Sequence, residues 1–357
     1  MSRLTRAQAQ ERNRARVLAA ARREFAERGY RDARIDSIAE RADLTRGAVY
    51  SNFPGKRALY FTILAQDAEQ ADGADGADGA EPGGTAAEAL GGLARAWLAG
   101  LPLAADPAGV AARLGDDLLP EIQASEPARS AFAQLVKLNA MLLGLCIERQ
   151  LGSRARQVRT AEAVLTVLYG ASQLSAAAPG YGDPFDLARV CEHLAGLDLG
   201  DRWAPPHLPH TAPARPADDP WTPPPATDLV RAGPARLAGD GVVTVLGLRR
   251  LAAAEEAVRA APAGATVTVV VVTGDAGELA PLARLAIAGL TGLLRRAFPA
   301  AARPGVQVVL DETGAVAWAA GVPAVSDSTE SAVRVRSGRI VARAEGPGAG
   351  HAAATSR

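Results

Sequence analysis

Apolar residues recur at helical spacing from early in the chain. Val17, Leu18, Ala21 and Phe25 form one stripe, with Arg16, Arg22, Arg23, Glu24 and Glu27 mostly off it. This is the pattern of an amphipathic helix with one buried face. Gly29 predicts the end of that helix. A second helix is expected from Ile35, turning Ile38 and Ala39 inward, and a short turn follows at Ala42-Asp43-Leu44. Thr45, a good N-cap, opens a third, short helix that runs through Arg46, Gly47, Ala48, Val49, Tyr50 and Ser51. Ile35, Ile38, Leu44, Val49, Phe53 and Leu59 are the expected core here. Two short helices across a tight turn, behind a longer support, make a helix-turn-helix arrangement.

Helical periodicity returns at about 86–99, 107–119, 127–150, 154–176 and 184–197. Pro127 and Pro184 suit first-turn positions, where a missing N–H costs nothing. The stretch 132–147 is apolar on more than one face, so its helix is expected to be buried in a core or a subunit interface. Residues 71–79 repeat Ala-Asp-Gly three times and predict a flexible loop. Ten prolines fall within 202–234. Such a segment cannot continue a helix or a central strand and reads as a semi-rigid extended spacer. Beyond it, strands are expected at 241–246, 266–273 and 306–310, with helices at 251–261, 278–298 and 316–321. A hairpin, 332–336 with 339–344, turns at Ser337-Gly338. The order βαβαβαββ predicts an α/β domain with a mixed sheet. Five units result: a helix-turn-helix domain at 1–66, a helical domain at 67–201, the linker, an α/β domain at 235–347 and a flexible tail at 348–357. The fold class is mainly α, followed by α/β.

Charge sharpens the picture at the N-terminus. The whole chain is neutral, yet residues 1–60 hold fourteen Lys+Arg against seven Asp+Glu, a surplus of +7 that the remainder offsets with −7. A basic block on a neutral chain is a common footprint of nucleic-acid binding. The two cysteines make no disulfide framework and no zinc pattern. Cys146 lies in an apolar run and reads as inert; Cys191, next but one to His193, is the more reactive candidate. His207 and His210 have no third ligand nearby, so no metal is expected. The N-terminus has no apolar signal region, and no run of roughly 18 apolar residues is uninterrupted. The expectation is a cytoplasmic protein without a membrane span. No phosphate-binding loop or nucleophile–base constellation stands out, so neither an enzyme nor a cofactor is expected.

The run from Arg34 to Tyr60 resembles the DNA-binding signature of the TetR family. The matching features are Ile38-Ala39, Ala42, Gly47, Tyr50, Phe53, Lys56 and Leu59, preceded by Phe25-Ala26-Glu27-Arg28-Gly29-Tyr30. Asp43 departs from the glycine usual at the turn, but aspartate tolerates that conformation. The resemblance covers about residues 10–65. It implies that the third helix enters the major groove of double-stranded DNA. Thr45, Arg46 and Gly47 would approach the DNA at its start. Arg46 would donate to guanine O6 and N7 or hold a phosphate, and Gly47 would permit close approach. Tyr50 would bond a phosphate, with Ser51 and Asn52 as further polar contacts. Lys56 would meet a phosphate at the fourth helix, and Arg34 and Ser37 are phosphate candidates on the second. Arg3, Arg6, Arg12 and Arg14 form an expected arm that touches a groove or stays in solvent. The resemblance further implies a homodimer joined through 154–176 and 184–197, reading half-sites ~34 Å apart. An unidentified small-molecule effector would sit among 86–147. The expected function is a ligand-responsive regulator, a repressor, on a pseudo-palindromic operator.

The third region resembles a thioredoxin-like or peroxiredoxin-like fold, through residues 308–322 and 335–343. No cysteine follows Cys191, and the expected cis-proline has given way to Thr329 or Glu330. The resemblance therefore implies a redox-dead domain kept for ligand sensing, for a protein partner, or as a spacer. Two alternatives to the regulator stay open: a thioredoxin-like oxidoreductase, or a protein-interaction module, each carrying a DNA-binding head.

Overall fold

The computed structural model describes residues 5–74, 81–101, 115–152, 155–178, 180–206 and 211–356. Arg3, most of the Ala-Asp-Gly repeat, 107–114, Arg154, His207 and His210 lie outside those residues. The helices are α1 (Arg6–Asp32), α2 (Ile35–Arg41), α3 (Arg46–Tyr50), α4 (Lys56–Ala74), α5 (Ala86–Ala99), α6 (Leu118–Gln123), α7 (Glu126–Leu151), α8 (Val158–Ala177) and α9 (Pro184–Leu194). The start of the repeat, 71–74, continues α4 instead of opening a loop. Gly29 breaks α1 with φ 73°, as expected of a glycine at a helix end. Ser125 caps α7 by accepting from the Ala128 N–H, Pro127 sits in its first turn, and Gly152 closes it at φ 60°. One stretch of α7 is long and apolar enough to cross a membrane. Most of that stretch is buried in protein, against α6, α8 and the helix α11 described below.

The C-terminal region holds β1 (Arg215–Pro220), β2 (Thr227–Asp228), β3 (Gly233–Pro234), β4 (Gly241–Gly247), α10 (Ala254–Ala260), β5 (Thr266–Val272), α11 (Leu279–Ala297), β6 (Gln307–Leu310), α12 (Ala315–Ala319), β7 (Glu330–Arg336), β8 (Arg339–Glu345) and α13 (Ala349–Thr355). Six strands form a mixed sheet in the order β1-β8-β7-β4-β5-β6. β4, β5 and β6 run parallel; β7, β8 and β1 are antiparallel to their neighbours. β4 is buried along its whole length, as a parallel strand covered on both faces should be. Ser337 and Gly338 turn the β7–β8 hairpin at φ 48° and 72°, the positive values a two-residue turn needs.

Two expectations about this half are corrected. The proline-rich segment is no free spacer: its 215–220 stretch is the edge strand β1, where prolines remove no essential ladder bond. Trp221 anchors the segment, buried, with its indole N–H donating to the Leu237 carbonyl at 2.6 Å. The 348–357 segment is no flexible tail either. Its alanines form α13, which buries Ala349, Ala352, Ala353 and Ala354 against α10 and the sheet.

The two halves share one hydrophobic core. Val242, Leu246, Val269, Val271 and Ala332 face one side of the sheet and join a cluster that runs through α11 into the helical bundle. Alternate residues Val243, Val245, Val270 and Val333 face a second, smaller cluster under α12. Helix α11 buries Leu282, Ile287, Leu290 and Leu294 between the sheet and α4, α5 and α7. Each fully buried side chain of this size contributes roughly 1.5–3 kcal/mol. Charge pairs reinforce the seam. Arg259 grips Glu148 with two bonds of 2.6 Å, and Arg156 bridges Asp201 and Glu255.

Candidate nucleic-acid interface

Helix α3 is positioned by its two ends and its buried side. The Thr45 hydroxyl accepts from the Ala48 N–H at 3.2 Å. Asp43 takes the tight turn at φ 49°, in the left-handed region that aspartate tolerates, and pairs with Arg16 at 2.9 Å. Val49 is fully buried, with Ile38 and Phe53 beside it in the core. The opposite side of the helix exposes Thr45, Arg46, Gly47 and Tyr50. Arg46 pairs with Asp36 of α2 at 3.3 Å and lies over the Tyr50 ring at 5.6 Å. Its hydrogen bond to Tyr50, and then Asp36, raise an already high pKa, so it stays charged. A cation and a phenol are thereby held together on the outer face of a short helix. A side chain added at Gly47 would meet only Thr45 Oγ1, at 3.9 Å. Glycine in a helix costs about 1 kcal/mol relative to alanine. Among the described residues, no contact requires a glycine here.

The other expected contacts divide. Arg34 is exposed at the N-terminus of α2, and Ser37 is half-buried on it. Ser51 and Asn52 turn their donors back onto the Ala48 carbonyl, at 2.9 and 2.8 Å, and close α3. Lys56 is engaged within the fold. Its ammonium donates to the carbonyls of Tyr30, Arg31 and Ala33 at 2.7, 3.1 and 3.2 Å and sits 4.4 Å from the centre of the Tyr30 ring. These three bonds tie the end of α1 to the start of α4.

Arg6, Arg12 and Arg14 also depart from expectation. They ride on α1, which starts at a reciprocal capping box between Thr5 and Gln8. That Thr-x-x-Gln spacing is a helix-start signal the sequence already carries. Arg14 lies 4.4 Å over the Phe53 ring and donates to the Asn52 carbonyl at 3.3 Å. Glu24, placed off the apolar stripe by its spacing, is fully buried. It accepts from the Arg34 N–H at 3.4 Å and pairs with Arg28 and Arg41. Tyr30 is pushed above the usual phenol range by burial and by its bond to Glu121, so it remains a donor.

Cys146 and Cys191 are both buried, and burial pushes their thiols up to about 12 and about 11. Neither thiol is thus poised for thiolate chemistry near neutral pH. Among the described residues, no cluster of three or more His, Cys, Asp or Glu could hold a metal. The expected effector region, 86–147, borders a cavity of about 280 Å³, but α11 contributes much of the wall.

Residues 17–63 match the family described as bacterial regulatory proteins, tetR family. Over 65 residues the chain is 45% identical to the HTH-type transcriptional regulator SrpR of Pseudomonas putida, covering 18% of this chain and 30% of that protein. It is equally similar, over the same length, to the uncharacterized HTH-type transcriptional regulator TtgW of Pseudomonas putida, covering 48% of it. The chain therefore spans half or less of the curated relatives it matches. Among solved structures it is similar to the transcriptional regulator FadR from Bacillus subtilis, solved in complex with stearoyl-CoA. That match has 20% identity and a TM-score of 0.37, over 51% of this chain and 96% of that one. A TetR-family transcriptional regulator from Pectobacterium atrosepticum matches at 26% identity and TM-score 0.36, over 54% and 93%. Residues 17–63 of this chain are thus similar to the N-terminal domain of tetR-family regulators.

Proposed function

We propose that the chain is a ligand-responsive transcriptional repressor that binds a pseudo-palindromic operator as a homodimer in the cytoplasm. The observation that carries this reading is the outer face of α3, where Thr45, Arg46, Gly47 and Tyr50 stand exposed around a glycine the fold itself does not need. Arg46 and Tyr50 are the contacts to bases or phosphates, and Arg34 and Ser37 add phosphate contacts from α2. Apolar side chains left in solvent on and beside α8 and α9 support the dimer: Leu174, Tyr181, Phe185, Val190 and Leu197. Phe185 is 73% exposed, which is costly for an isolated chain.

The sheet order β8-β7-β4-β5-β6 supports a thioredoxin-like reading of the C-terminal domain. Without a cysteine after Cys191 it has no thiolate for disulfide exchange. Trp318 of α12, 68% exposed, favours a protein-docking role for this domain as a second reading. The test is binding of the full chain to DNA selected from random duplexes, with light scattering to give its stoichiometry. One dimer per two-fold-symmetric site supports the proposal; a monomer that binds all duplexes equally refutes it.

A further inference from the structure

The cavity at the junction of the two halves is built from both of them. On the bundle side, the Tyr169 ring stands edge-on to Trp97, at 5.0 Å and 83°, and to Phe132, at 5.6 Å and 82°. Opposite them α11 supplies Leu282, Leu293 and the small residues Ala286 and Gly289. A side chain added at Gly289 would meet nothing within 4 Å, so the space in front of it is open.

Asn139 brings a buried acceptor to this wall. Asn139 of α7 is 1% exposed, and its amide N–H donates to the Ala286 carbonyl at 2.9 Å. Its carbonyl oxygen, Oδ1, is buried and accepts from nothing among the described residues. A buried acceptor left without a donor costs on the order of 1–3 kcal/mol. An apolar side chain of similar size would avoid that cost, so the asparagine marks where an outside donor is received.

The same helix reaches the DNA-binding head. Glu278, at its start, pairs with Arg57 in the first turn of α4 at 2.8 Å. Gly277 lies so close to the Pro54 ring that an added Cβ would sit 2.8 Å from it. Further along, Arg284 pairs with Glu69 of α4 at 3.0 Å. Whatever displaces α11 is therefore passed to α4, and α4 follows directly on α3.

We propose that this cavity binds a compact aromatic molecule that presents one hydroxyl or N–H to Asn139, and that α11 makes the C-terminal domain one wall of the effector site and its lever on the head. The last step, the effect on DNA, rests on the repressor reading above; the binding step does not. Three edge-on aromatic rings favour a flat ligand. A volume of about 280 Å³ suits two fused rings with a small substituent. Ligand entry wedges α11 away from Trp97 and Phe132 and loads the Glu278–Arg57 contact.

The experiment uses the full-length chain with 2-naphthol, followed by the probe's own fluorescence, and naphthalene as the analogue without a donor. The expected result is saturable binding of 2-naphthol, about tenfold tighter than naphthalene. Gly289→Leu puts side-chain carbons into the cavity, and its Cβ meets nothing within 4 Å. It should abolish binding while leaving the melting temperature unchanged or higher, which shows that the chain still folds. Asn139→Leu should erase the preference for the hydroxyl. No saturable binding, or binding that survives Gly289→Leu, overturns the site. On selected DNA, saturating 2-naphthol should change affinity at least about fivefold, and Arg57→Gln should suppress that change. Unchanged affinity overturns the lever. Tight probe binding by a chain that prefers no DNA sequence would refute the repressor reading and leave the site standing.

Discussion

Replacing Gly47 by leucine separates folding from DNA binding. Gly47 is the second residue of α3, exposed, and the nearest atom to an added Cβ is 3.9 Å away. Its conformation is ordinary helix, with no positive φ. The Cβ of a leucine is therefore accommodated in the free protein, and the substitution gains up to about 1 kcal/mol of helix propensity. Against DNA the same four carbons have nowhere to go if the helix backbone rests on the groove. Forcing a side chain into a filled contact costs roughly 1–3 kcal/mol, which corresponds to about 5- to 150-fold in affinity. The assay pairs a thermal melt followed by circular dichroism with fluorescence anisotropy on a selected duplex. The expected outcome is an unchanged or raised melting temperature together with the loss in affinity. A Gly47→Leu protein that binds as tightly as the natural chain would show that α3 does not face the DNA at this point. A protein that melts lower would show instead that the glycine serves the fold.

Other outcomes follow from the same structure. Lys56→Met should lower the melting temperature, because three carbonyls at the end of α1 lose their donor. Gly144→Val should destabilise the bundle by about 1–3 kcal/mol, measured by melting, because an added Cβ would sit 3.0 Å from the Val158 Cα and 3.1 Å from the Gln157 backbone. On the proposed dimer, Phe185→Glu should shift the chain to monomer in light scattering and weaken binding to the selected DNA with it. Both thiols are pushed up by burial in the folded state, to about 12 and about 11, whereas in the unfolded chain they ionise near pH 8.5. Their contribution to stability is therefore full below that pH and lost as the pH rises toward 11. An aromatic disulfide reagent at pH 8 should react with neither until denaturant is added.

The helix-turn-helix was legible because its determinants are local. Thr45 as a cap, Gly29 at a helix end, Asp43 in a tight turn and the Val49 and Ile38 stripe are each set by neighbours a few residues away. The strands of the C-terminal region were legible for the same reason: runs such as 266–272 alternate or fill along a short segment. What escaped depends on residues far apart. Glu24 sits off the apolar stripe by spacing, and its burial is matched by the Arg34 N–H and Arg41 from beyond its own helix, together with Arg28. Lys56 has the composition of a phosphate ligand, yet carbonyls 23 to 26 residues earlier claim it. The proline-rich segment and the alanine-rich C-terminus carry no strong pattern of their own, and become β1 and α13 only because the sheet supplies their partners. The expected effector region spans 86–147, but α11 lies more than a hundred residues further on, and its apolar stripe is indistinguishable in sequence from an ordinary core helix.

The central claim is that the exposed face of α3 reads DNA. Its most direct test is selection from random duplexes by the full chain, followed by anisotropy on the enriched sequence at several salt concentrations. The account predicts a two-fold-symmetric consensus, a steep salt slope, and binding weakened by both Arg46→Ala and Tyr50→Ala. Enrichment of no sequence, or a consensus bound equally well by both variants, would contradict it.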